Sequence, residues 1–130
     1  MLSAMAMRVL IADDNPEVAQ ALRELLERQG VVVTGVASNL AEALRIVDEN
    51  NPDVVLVDVD LGQDSGFDLA ERLTFESARA WPVVLISAHD EADLEDLVRR
   101  SPALGFVSKS HLSAAAVHAL LHPSGRSDDA

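Results

Sequence analysis

The chain has 130 residues, no cysteine and a formal charge of −12. A single domain of that length buries roughly two-thirds of its unfolded surface without cross-links, and the missing thiols exclude disulfides, zinc-thiolate centres and cysteine catalysis. The nine arginines are scattered, so no face for binding nucleic acid phosphates is expected, and a polycationic partner or a metal ion fits the charge better.

Met1 to Met7 lacks a basic head in front of a long apolar core, and no apolar stretch approaches membrane-spanning length. A soluble cytoplasmic protein is expected. Arg8-Val9-Leu10-Ile11-Ala12 reads as a first strand ending in Asp13-Asp14, and Asn15-Pro16 then caps a helix with proline in its first turn. Val18, Leu22, Leu25 and Leu26 give that helix its apolar face, and Gly30 stops it. Val31 to Val36 is the second strand. Asn39 with Glu42 forms a capping-box-like start for a second helix, which ends before Pro52.

The third strand, Val54-Val55-Leu56-Val57-Asp58, is an unbroken apolar run without polar alternation, as expected of a strand covered on both faces in a parallel sheet. Gly62 to Ser65 reads as a loop, after which Ser65 and Asp68 open a third helix running past Leu69 and Leu73. Val83-Val84-Leu85-Ile86-Ser87 is a fourth strand, and Asp90 caps an acidic helix carrying Leu94, Leu97 and Val98. Leu104 to Ser108 is a short fifth strand ending at Lys109, and Leu112 to Leu121 is an alanine-rich last helix. The expected domain spans 1–121, with a core from about residue 7, and 122–130 forms a polar tail. Five strand-helix units in alternation indicate an open α/β sheet, parallel and doubly wound, since a barrel needs eight.

In such sheets ligands bind beyond the carboxyl ends of the strands. Asp13, Asp14, Asp58, Ser87 and Lys109 all stand at those ends. Three crowded carboxylates repel one another unless a cation intervenes, and an all-oxygen donor set suits Mg2+, which bridges carboxylates to phosphate oxygens. The parts of a phosphoryl-transfer site follow: the ion and the Lys109 ammonium hold phosphoryl oxygens, the Ser87 hydroxyl holds a third, and Asp58 is the nucleophile. Lys109 is the only lysine in a chain that otherwise uses arginine, as if a compact ammonium were required there.

These separated motifs resemble the receiver domain of bacterial response regulators over about residues 7 to 121. The resemblance implies the flavodoxin-like receiver fold with strand order 2-1-3-4-5. It also implies Asp13 and Asp14 as the metal-binding pair, Asp58 as phosphoacceptor, Ser87 as switch hydroxyl, Phe106 as switch aromatic and Lys109 as the phosphate-contacting lysine. The backbone carbonyl of Asp60 would complete the metal shell. A sensor histidine kinase or phosphotransfer protein would supply the phosphoryl group, and the face made by the fourth helix, fifth strand and fifth helix would change shape and could pair two copies.

Gly62 stands where many receivers carry proline, and Ser110 where Lys-Pro is common; a cis bond before a non-proline residue would cost roughly 3 kcal/mol. Asp60 and His89, two residues beyond Asp58 and Ser87, are expected to flank the entrance and to set water access to the acyl phosphate. His111, His118 and His122 do not form a metal set by spacing.

Two other readings stand beside this one. Val57-Asp58-Val59-Asp60 also resembles the nucleophile motif of haloacid-dehalogenase-like phosphatases, but the chain has no room for their usual cap, and its acidic pair precedes the nucleophile. A receiver-like scaffold acting without phosphorylation would not need the complete set of acids and lysine. The expected function is therefore that of a signalling receiver rather than an enzyme, either standing alone or cut from a longer regulator.

Overall fold

The computed structural model describes residues 6–88 and 91–123. Five parallel strands form one sheet: β1 (Arg8–Ala12), β2 (Val32–Ala37), β3 (Val54–Asp58), β4 (Val83–Ser87) and β5 (Gly105–Ser108), in the order β2-β1-β3-β4-β5. β3 and β4 are buried at every residue. Their unbroken apolar sequence has this cause, because helices cover the sheet on both sides.

The helices are α1 (Pro16–Arg28), α2 (Leu40–Asn50), α3 (Gly66–Glu71), α4 (Glu91–Arg100) and α5 (Ala114–Leu121). One core layer joins Leu22 and Leu26 of α1 and Val117 of α5 to Val9, Ile11, Leu56 and Ile86 of the sheet. The opposite layer joins Ala43 and Val47 of α2 and Leu69 of α3 to Leu10, Val55, Val57 and Leu85, with Phe106 and Val98 packed at its edge. The chain changes sides between β1 and β3, and the site lies at this crossing.

The helix caps follow the sequence. Asn15 Oδ1 accepts from the N–H groups of Glu17 and Val18. Asn39 Oδ1 accepts from Glu42 N–H, while the Glu42 carboxylate reaches back to Ser38 rather than to Asn39. These Ser38 hydrogen bonds, backbone first, hold the Glu42 pKa below its ordinary value. Asn51 closes α2 in the left-handed region at φ 49°, and Pro52 follows.

The structure departs from expectation in four places. The Gly62–Ser65 loop is part of a small antiparallel hairpin, Asp60–Leu61 against Asp64–Ser65, turned by Gly62 at φ 74°. The third helix is α-helical only to Glu71 and widens into a π-helical turn over Arg72–Glu76, which leaves Phe75 72% exposed. The last helix begins at Ala114 rather than Leu112, because Lys109–His111 forms a 3-10 turn and Ser113 supplies the N-cap through Ala116 N–H. Strand ends shift by one residue, to Val32–Ala37 for β2 and Gly105 for the start of β5. Asp90, expected to cap the fourth helix, lies outside the described residues, and no peptide bond among those described is cis. No helix of the described residues is long and apolar enough to cross a membrane.

Candidate functional site

Strand geometry delivers the acids. Asp13 follows β1, and its N–H continues the ladder to the carbonyl of Ala37 (2.9 Å), so its side chain projects from the sheet edge while only 1% exposed. Its Oδ1 accepts from Asn15 N–H (2.9 Å). Asp58 ends β3 and is 6% exposed; its Oδ1 accepts from Asp60 N–H (3.1 Å). Asp14 is exposed. Carboxylate oxygens of Asp13, Asp14 and Asp58 lie within 4.8 Å of one another.

Lys109 reaches this group from the end of β5. Its ammonium stands 2.8 Å from Asp13 Oδ2 and 3.0 Å from Asp58 Oδ2. The ammonium donates a hydrogen bond to Asp58 and makes a close ion pair with Asp13. Burial pushes the Asp58 pKa up, and the Asp60 N–H and Lys109 oppose this only in part. Burial alone would lower the Lys109 pKa, but the carboxylates of Asp13 and Asp58 outweigh it and raise it. At formal charge, three carboxylates against one ammonium leave the site two positive charges short.

These groups line a pocket of about 250 Å³ together with Asn15, Asp60, Ser87 and Ala88. Ser87 is 1% exposed and stands beside Ser108 in the β4/β5 register. Phe106 is half-buried against the core layer that contains Leu85 and Trp81. The Asp60 carboxylate is exposed and accepts from Gly62 N–H (3.1 Å), which folds it into its own turn. His89 lies outside the described residues.

Two residues of the site were legible in the sequence only in part. Asn15 was read only as a helix cap, yet its backbone fixes the Asp13 carboxylate. Gly66 packs against the main chain of the acceptor: a Cβ there would overlap the Asp58 carbonyl oxygen, and its N–H donates to the carbonyl of Val59 (2.9 Å). The resemblance to receivers placed Gly66 only as the glycine ending the Asp64-Ser65-Gly66 loop, without its contact to the acceptor main chain.

The metal-binding capacity of the site is a matter of donors. Every side-chain donor in the cluster is a carboxylate oxygen, the three offer oxygens within 4.8 Å of one another, and the formal charge deficit equals a dication. That set fits a hard divalent ion.

The sequence pattern of the response regulator receiver domain matches residues 9–121. The chain is 31% identical over 107 residues to the transcriptional regulatory protein PdtaR of Mycobacterium tuberculosis, covering 82% of this chain and 51% of that protein. It thus spans about half the length of the curated relatives it matches. Among solved structures, a LuxR-family two-component response regulator from Aurantimonas superposes with a TM-score of 0.80 at 25% identity, covering 91% of this chain and 86% of that one. The signal receiver domain of the putative response regulator NarL from Mycobacterium tuberculosis gives 0.71 at 30% identity, covering 88% and 96%. With the acids, the lysine and the strand order already in place, these matches make the chain a member of the response regulator receiver domain family, the receiver of a two-component response regulator.

Proposed function

We propose that Asp58 accepts a phosphoryl group from the phosphohistidine of a sensor histidine kinase or a phosphotransfer protein. An Asp58 carboxylate oxygen forms the bond to phosphorus as the bond from phosphorus to the donor nitrogen breaks, leaving an acyl phosphate on the chain and the histidine free. The observation that carries this reading is the Lys109 ammonium held between Asp13 and Asp58, at 2.8 and 3.0 Å. It is a fixed positive charge beside Asp58, the acid that is itself the last residue of its strand and is only 6% exposed.

Mg2+ held by Asp13, Asp14 and Asp58, with the backbone carbonyl of Asp60, would neutralise charge on the incoming phosphoryl oxygens. Lys109 and the Ser87 hydroxyl bind the remaining oxygens. Ser87 then draws toward the phosphoryl group and Phe106 turns into the space released. These two contacts differ between the two states and so can shift their populations. The face of α4, β5 and α5 reads out the change, and a homodimer through it is one outcome. Asp60 and His89 set water access and so the lifetime of the acyl phosphate. The domain occupies 1–121 with 122–130 as tail, works in the cytoplasm, and neither binds nucleic acid itself nor turns over a separate substrate.

Incubation with acetyl phosphate and Mg2+ tests the reading by intact mass. One phosphoryl equivalent is expected on the wild type and none on Asp58→Asn. Continuous release of phosphate from general phosphomonoesters would favour the phosphatase alternative.

A further inference from the structure

At the far end of the sheet from Asp58, His118 and His122 occupy successive turns of α5 and its C-terminus, with ring centroids 4.6 Å apart and planes inclined by 48°. Spacing of four residues puts two imidazoles on one helix face, the arrangement by which a helix chelates a transition metal. His118 and His122 line a pocket of about 320 Å³, and Met7 and Asp53 line the same pocket from other parts of the chain. Asp53 is anchored there, its Oδ2 accepting from Arg8 N–H (2.8 Å). Spacing along the sequence argued against a metal set among His111, His118 and His122, but the structure brings the rings of His118 and His122 into contact beside a pocket that Met7 and Asp53 also line.

We propose that His118 and His122 form a second metal site, for a borderline divalent transition ion such as Zn2+ or Cu2+, independent of the acidic pocket. Imidazole nitrogens favour these ions over Mg2+, whereas the all-carboxylate cluster at Asp58 has the opposite preference. The two rings supply the protein nitrogens and water fills the open positions, in a pocket that Asp53 and Met7 also line. An ion bound there ties the end of α5 from one turn to the next.

The test is titration of Zn2+, and separately Cu2+, into the full chain with Mg2+ in excess to occupy the acidic pocket. Calorimetry reads stoichiometry and affinity, and imidazole NMR shifts read the ligands. One equivalent is expected, with affinity reduced about tenfold or more in both His118→Ala and His122→Ala and kept in Asp58→Asn. Both histidines are exposed, so the variants fold. Unchanged affinity in the histidine variants, or absence of binding in excess Mg2+, would overturn the proposal and leave a ring contact only. Neither result bears on phosphoryl uptake at Asp58.

Discussion

At Asp58 and Lys109, opposite physical effects meet within a few ångströms. Burial makes ionised Asp58 unfavourable, whereas Lys109 stays charged because two carboxylates outweigh its burial. Because the folded chain holds the Asp58 proton more tightly than the unfolded chain, metal-free stability falls as pH rises from the ordinary carboxylate range through the raised folded value. Asp58→Asn removes that loss. In EDTA it should melt higher than the wild type at neutral pH and converge with it in acid; equal melting temperatures at pH 7 would contradict burial as the dominant effect. Lys109→Ala leaves Asp13 and Asp58 facing each other and should lower metal-free stability by about 1–3 kcal/mol in urea unfolding. It should also slow phosphoryl uptake by at least about a hundredfold.

Among the elements, α1 and α3 carry the site through their first turns. Asn15 does two jobs, capping α1 with its side chain and fixing Asp13 with its N–H. Asn15→Ala should therefore cost about 1 kcal/mol of stability while leaving the backbone bond to Asp13, so Mg2+ affinity should change much less than the melting temperature. The five strands were legible because each is an apolar run punctuated by caps, and Asp13, Asp58 and Lys109 because such runs end on them. The hairpin at Asp60 to Ser65 was not, since two-residue strands carry no periodicity. The π-helical turn was equally hidden: Leu69 and Leu73 keep helical spacing, and the widening shows only in the outward aim of Phe75. Gly66 and the neighbours of His118 depend on contacts between distant segments, which spacing does not encode.

For the whole molecule, the charge of −12 and the deficit at the pocket act in the same direction. At matched ionic strength, Mg2+ should stabilise the fold well beyond Na+, by about 2.7 kcal/mol at a hundredfold excess over its dissociation constant, and raise the melting temperature accordingly. Asp13→Asn should erase most of that difference in thermal melts. Screening by salt alone acts on the dispersed surface charge, but the pocket needs an ion that binds. Gly66 adds a mechanical consequence. With only hydrogen between that residue and the Asp58 carbonyl, main-chain displacement at the acceptor presses directly on the front of α3, as a tappet pushes a valve. The Gly66 amide should then be among the resonances that move most on modification, before any side chain farther along the helix responds.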